Sequence, residues 1–580
     1  MDWSPGGIVS RPYSSFQIDQ LEAEFERARR EVDRDAFRHL ENELAHRQPT
    51  PRVNDLLRRL AGELGSRNGH SGTRSGPSGG RPGTSQPPRR NLPFKPTAEQ
   101  EQAIEAFSTG ESLKINAYAG SGKTSTLQLL AHSTPRKGQY LAFNRKIVED
   151  SRDKFPSQVH SATTHALAFR RLSGKYSYDK LMGKIGANHL VELLQLKSWR
   201  IDRNHVLAAR SQAFLIQSTI KRFCQSAAPD FLLEHVPRHG TLAVASEEVI
   251  KRVAKVALEG ARHVWARMLA TEDSIPLGHD GYLKAWALSE PRLSVDYILL
   301  DEAQDTNPVV LGVLGKQNTQ IVYVGDKFQQ IYEWRGAINA MEEAPAVHNA
   351  DLTMSFRFGG EIARLAGRVL ELLGAGKKLT GNPGRRSRIA SAPNGTVLAR
   401  TNATTITAVI EALDGGKKPH LVGGTAELMA MLNGVADLRA GRASSVPEFF
   451  GFENWQQLVE FVRSGEGEDL LTFVNLVEAR GEKQLLWALA RLADEDKCDF
   501  VVSTAHKAKG REWDKIRLMD DFVMSLPRKE QREQISPEMD PAELRLLYVA
   551  LTRAKEILEV PQSVMEFLHT GRLPARPVAS

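Results

Sequence analysis

The chain has 580 residues, 41% hydrophobic and 25% charged, enough for several domains each with its own core. No run of about 18 apolar residues occurs, which argues against a membrane-spanning helix, and Met1–Phe16 lacks the basic start and apolar core of a signal peptide. Two cysteines fit a reducing cytoplasm and cannot cage a metal, while a net charge of +7 suits nucleic acid without requiring it.

Residues 17–47 predict a helix, with Ile18, Leu21, Phe25, Val32, Leu40 and Leu44 recurring near multiples of a helical turn between densely charged faces. After Pro49 and Pro51 a second short helix is expected around 54–64. Residues 66–92 are rich in Gly, Ser, Pro and Arg, the composition of a flexible linker. Residues 1–65 therefore read as a separate helical appendage, expected to dock a protein partner or to self-associate.

From Phe94 the pattern changes. The short apolar runs SLKINAY, YLAFN, VDYILLDE and QIVYVGD alternate with helical stretches, which predicts parallel sheets with crossover helices. Two mainly helical stretches, about 172–290 and 412–495, read as insertions into the α/β pattern.

The first chemical signal is NAYAGSGKTSTL, Asn116–Leu127. It follows an apolar strand and opens a helix, the setting of a phosphate-binding loop. Gly120 and Gly122 supply the tight backbone, Lys123 the charge and Thr124 a Mg²⁺ ligand. Ala117 stands where such loops usually begin with glycine, and alanine is tolerated there if φ stays negative. The second signal is YILLDEAQD, Tyr297–Asp305, a buried strand ending in acids. Asp301 is expected to hold Mg²⁺ through water and Glu302 to polarise the attacking water. The third is VGDKFQQIYEWRGA, in which Trp334 beside Arg335 could stack an exposed base.

Together these segments resemble superfamily 1 helicases of the UvrD/Rep type, closest in flavour to the F-box DNA helicase branch. PTAEQEQAI, AYAGSGKT, LAFNRKIVEDSRDKFP, ATTHALA, DEAQD, VGDKFQQIYEWRGA, SFRF, LARTN, STAHKAKGREWD and ELRLLYVALTRAK stand in the family's order, and MDDF (Met519–Phe522) also resembles that branch. The alanine at 117 is similar to the family's own form of the loop. The resemblance spans roughly 93–560, and no F-box is visible in the N-terminal segment.

The resemblance implies two RecA-like core domains with parallel sheets, each carrying a helical insertion. Their expected bounds are 93–171 with 286–345 for the first core domain and 172–285 for its insertion. The second is expected over 346–411 with 496–565, its short insertion over 412–495, and a tail over 566–580. It implies ATP and Mg²⁺ as cofactors, held by Ala119, Gly120, Ser121, Gly122, Lys123, Thr124, Ser125 and Asp301. Gln100 would read adenine, Phe356 would stack on it where relatives often have Tyr, and Glu512 would contact the ribose. Glu302 would be the catalytic base, Gln329 the γ-phosphate sensor, and Arg357 and Arg553 the clamp from the second core domain. Phe143, Asn144, Thr164, His165, Trp334, Arg335, Asn402 and His506 would lie along the nucleic-acid path. Arg511-Glu512-Trp513 departs from the family's usual Leu-Glu-Phe, which keeps the Glu but alters its neighbours.

The expected function is an ATP-dependent DNA helicase or translocase moving 3′→5′, acting on single-stranded DNA and single-strand/duplex junctions, cytoplasmic and nucleoid-associated, with no membrane partner. The alternative is a DNA-stimulated ATPase that strips proteins from DNA and docks a partner through residues 1–65, unwinding being incidental.

Overall fold

The computed structural model describes residues 18–31, 40, 56, 92–201, 206–238, 242, 245–332, 338–442, 444, 446–449, 451–463, 468–523 and 539–573. The chain divides into two compact units, Met1–Pro88 and Arg89–Ser580. In the first, helix Ile18–Glu31 buries Leu21 and Phe25, one turn apart, as an amphipathic helix must. The second helix expected near 54–64 and the linker at 66–92 lie outside the described residues except at Leu56 and Leu92.

The second unit is built on two six-stranded sheets. The first comprises β1 (Leu113–Ala117), β2 (Gly138–Leu141), β3 (Val159–Ala162), β6 (Tyr297–Leu300), β7 (Gln320–Gly325) and β8 (His348–Leu352), in the order β3-β2-β6-β7-β1-β8 and parallel throughout. The intervening β4 (Trp199–Arg200) and β5 (Val206–Leu207) pair antiparallel inside the first helical insertion. The second sheet comprises β9 (Arg388–Ile389), β10 (Thr396–Ala399), β11 (Pro419–Leu421), β12 (Phe500–Thr504), β13 (Trp513–Leu518) and β14 (Ala554–Glu559), ordered β11-β12-β10-β13-β14-β9 and again parallel.

Side-chain alternation explains the layering. Every residue of β6 is buried, as in a strand covered on both faces. Tyr297 and Leu299 join Ile104, Phe107 and Leu127 of the helices Ala98–Ser108 and Lys123–His132 on one side. Ile298 and Leu300 join Phe223, Trp265 and Trp286 of the helical insertion on the other. In the second sheet Val397 and Val502 pack on the helices of the second insertion through Leu432, Trp455 and Val474. A further cluster joins Tyr118, Ala119 and Phe328 of the first core domain to Phe358, Leu547 and Tyr548 of the second, so the core domains share a packed apolar seam.

Two expected boundaries shift. β8 lies beyond 345, yet pairs with β1 along Leu113–Ala117 and so belongs to the first core domain. Its sequence, HNADL, carries too little apolar alternation to announce a strand. β11 lies inside the range 412–495 expected to be helical, yet pairs with β12 and completes the second sheet. A three-residue strand leaves no period to read. Among the described residues no helix is long and apolar enough to cross a membrane.

Candidate active site

The loop after β1 turns twice through left-handed backbone, at Gly120 (φ +72°) and Gly122 (φ +84°), and Gly122 caps helix Lys123–His132. Glycine adopts these angles without a Cβ penalty. The turn aims the helix N-terminus and its unpaired N–H groups into a cleft of about 360 Å³. Ser121 Oγ is buried without a partner among the described residues. That orphaned hydroxyl, the loop amides and the Lys123 ammonium form a donor set suited to a nucleotide's phosphates.

The acids stand opposite, at the end of β6. Thr124 Oγ1 lies 3.3 Å from Asp301 Oδ2, which also accepts the Tyr140 hydroxyl at 2.7 Å. Burial, then the neighbouring Glu302 charge, pushes the Asp301 carboxyl up. Glu302 is left-handed too (φ +51°), unusual for a residue with a side chain, and its carboxylate lies 3.6 Å from Lys123 Nζ. Burial alone would raise its pKa, but Lys123 and then Lys509 outweigh that and hold it down. Glu302 therefore stays ionised beside an aliphatic ammonium, and a hydroxyl with an adjacent carboxylate fits a Mg²⁺ ion.

The second core domain closes the cleft. Phe356 N–H donates to Gly120 O at 2.8 Å, and the Phe356 ring lies over Gly122, next to the Gln100 amide. Gln100 forms a capping box with Thr97 and donates to Thr126 Oγ1 at 3.0 Å, which fixes the amide at the mouth of the loop. Arg357 donates to Glu512 at 2.7 Å and to Thr552 O at 2.9 Å. Arg553 is buried: Nε donates to Val549 O at 2.9 Å and Nη2 reaches Gln329 Oε1 at 3.3 Å. Burial, then Arg357, lowers its pKa to about 9, which leaves it a cation at neutral pH. Gln329 in turn donates to Asp326 Oδ2 at 2.8 Å. The cleft is thus lined from both core domains, Ala119 and Ser125 flanking the loop's contacts.

Sequence reasoning missed several groups here. Lys509 donates to Asp305 and to Gln329 O across the domain seam. Tyr548 is fully buried and bonded to the first core domain. Arg385 and Lys555 add positive charge at the cleft rim. A phenol inside the otherwise apolar run LLYVAL was the one signal available for Tyr548.

The expected nucleic-acid residues follow the carboxyl ends of strands, where loops of parallel sheets gather their functional groups. Phe143 and Asn144 follow β2, Thr164 and His165 follow β3, Asn402 follows β10 and His506 follows β12. The Phe143 ring is exposed and parallel to Tyr332 (5°), centroids 6.4 Å apart, and the Tyr332 hydroxyl donates to His506 O at 3.0 Å. His165 stacks on His279, centroids 3.9 Å apart, with Asp280 3.9 Å from its Nε2, so the insertion anchors it. Asn144 caps helix Arg145–Ser151, accepting from Ile147 N–H at 3.0 Å, so its oxygen already has a structural use. Thr164 and Asn402 are the first residues of their helices, behind the N-caps Thr163 and Thr401. Trp334 and Arg335 lie outside the described residues.

Comparison with known proteins gives a consistent picture. The family described as UvrD/REP helicase N-terminal domain matches residues 97–344, and the UvrD-like helicase C-terminal domain matches 452–563. The chain is 29% identical over 512 residues to "F-box DNA helicase 1" of Gallus gallus, covering 82% of this chain and 50% of that protein. It is 31% identical over 504 residues to "F-box DNA helicase protein 1" of Schizosaccharomyces pombe, covering 80% of this chain and 57% of that one. The chain therefore spans about half the length of these curated relatives. A solved structure, "The structure of PRRSV helicase", overlays with a TM-score of 0.27 and 11% identity, covering 82% of this chain and 58% of that one, too loose a likeness to carry an argument.

Proposed function

Because the chain belongs to the UvrD-like helicases, we propose that it is an ATP-driven motor that moves 3′→5′ along single-stranded DNA and opens duplexes at junctions. One observation carries this reading above the rest: one cleft is lined by Lys123 and Glu302 of the first core domain and by Arg357 of the second, while the buried Arg553 of the second reaches Gln329 of the first across the seam.

Lys123 and the loop amides would bind phosphate, while Thr124 and Asp301 would hold Mg²⁺. When bound, Mg²⁺ neutralises charge on the phosphates. Glu302, kept anionic by Lys123, is the group able to accept a proton from water. Arg357 and Arg553 bring cations from the second core domain, and Arg553 meets Gln329 of the first, so hydrolysis requires both domains together. The base would stack on Phe356 and pair with Gln100, both beside Gly122, and the ribose would meet Glu512, already bound to Arg357.

Phe143 and His165 follow strands of the first sheet, and Asn402 and His506 strands of the second. Opening and closing the cleft therefore moves Phe143 and His165 relative to Asn402 and His506. The Phe143–Tyr332 pair supports aromatic stacking of bases, which tolerates any sequence.

The test is ATP hydrolysis with and without single-stranded DNA, for wild type and Lys123→Ala. Many-fold stimulation by DNA, abolished in the variant, is expected, followed by unwinding of duplexes with 3′ tails and not of those with 5′ tails. Hydrolysis indifferent to any nucleic acid would overturn the motor.

A further inference from the structure

We infer that Tyr548 is a positioning residue that locks the two core domains together, its hydroxyl tying the phosphate-binding loop of one to the helix that leads into Arg553 of the other. The inference rests on the motor reading above. Tyr548 sits in helix Pro541–Leu551 of the second core domain and is fully buried. Its hydroxyl accepts the Ala119 N–H at 3.0 Å, immediately before Gly120 of the loop. The same hydroxyl donates to Asp326 Oδ2 at 3.0 Å.

These two bonds close a circuit. Asp326 Oδ2 also accepts from Gln329, and Gln329 Oε1 accepts from Arg553. Arg553 Nε returns to Val549 O, the residue after Tyr548. One phenol therefore connects the loop that would cradle phosphate with the glutamine and the arginine expected to act on it. Burial strongly disfavours ionising the phenol, so it remains a donor as well as an acceptor.

Both bonds exist only while the domains are in contact. In the closed seam the Ala119 N–H and the Asp326 carboxylate are buried and need the hydroxyl, whereas separated domains leave both to water, so the hydroxyl stabilises the closed state selectively. Of the loop's amides it engages the Ala119 N–H alone, and it bonds to neither Lys123 nor Ser121. Removing the hydroxyl should therefore lower turnover and spare nucleotide binding.

The experiment compares wild type with Tyr548→Phe, which keeps the ring and its packing. Three quantities are read: the affinity for a fluorescent ADP analogue, kcat with saturating single-stranded DNA, and the distance between spin labels at Glu101→Cys and Glu411→Cys in a Cys498→Ser background. The expected result is ADP affinity within two-fold of wild type, kcat lower by ten-fold or more, and a distance distribution broadened toward open forms. If Asp326→Asn is added to Tyr548→Phe, the combined loss of kcat should be smaller than the product of the two single losses, because the two residues share a hydrogen bond. Unchanged kcat and distances would overturn the inference, as would a loss confined to ADP affinity. If Tyr548→Phe folds poorly, Asp326→Asn read by the label distance replaces it, with unchanged distance overturning the inference. A wild type blind to DNA would sink the motor reading alone, and the label distances would still decide whether the phenol holds the domains together.

Discussion

At Gly120 two demands meet in one residue. The backbone is left-handed there, and an added Cβ would lie 2.5 Å from Ser355 Oγ and 2.7 Å from Arg357 Cβ. Gly120→Ala should cost about 1–2 kcal/mol in backbone strain alone. It should also hold the second core domain away, cutting kcat by roughly a hundred-fold, a factor equal to about 2.7 kcal/mol of barrier. Steady-state hydrolysis beside a thermal melt checks this, and a variant with wild-type kcat would show that closure is not required. At Glu302, Glu302→Gln keeps the shape and removes the base. Hydrolysis should fall by about 10²–10⁴-fold, as expected for loss of a general base. Nucleotide affinity should survive, measurable by equilibrium binding.

Among the elements, the pairing between the β12–β13 loop and the β6 turn is open to a pH test. Burial pushes the Asp305 carboxyl up to about 6 against the opposing charge of Lys509. Its folded pKa thus lies above that of an unfolded aspartate, so its contribution to stability is fully present below pH 4 and is lost as pH rises through about 6. Asp305→Asn removes that dependence. Relative to wild type, its melting temperature should climb between pH 4 and pH 7, and a flat difference would refute the assignment. Lys509 and Asp305 also show where legibility stops. The strand–loop–helix that holds Lys123 is contiguous, and each step of it leaves a local mark in glycines and apolar period. The strand ends before Asp301 and Phe143 were readable for the same reason, whereas His506 came only from the family resemblance. Lys509 meets Asp305 across 204 positions and Tyr548 meets Ala119 across 429, and no local pattern encodes such pairs. β8 and β11 escaped because their identity comes from the neighbour they pair with.

The whole chain is two compact units, and that division predicts how it tolerates shortening. Deleting residues 1–88 should leave the melting transition of the larger unit and its DNA-stimulated hydrolysis within about two-fold, since stability is local to each core. Loss of unwinding with hydrolysis intact would instead make the appendage part of the motor. The order of the first sheet has a consequence for how the protein is made. β1 sits between β7 and β8, its register matching Leu113 to Val322 and to His348. On the ribosome, the strand carrying the phosphate loop therefore emerges more than 200 residues before either neighbour exists. Until they arrive, its backbone edges stay unpaired and able to pair with other chains, which makes the half-synthesised protein a chaperone client.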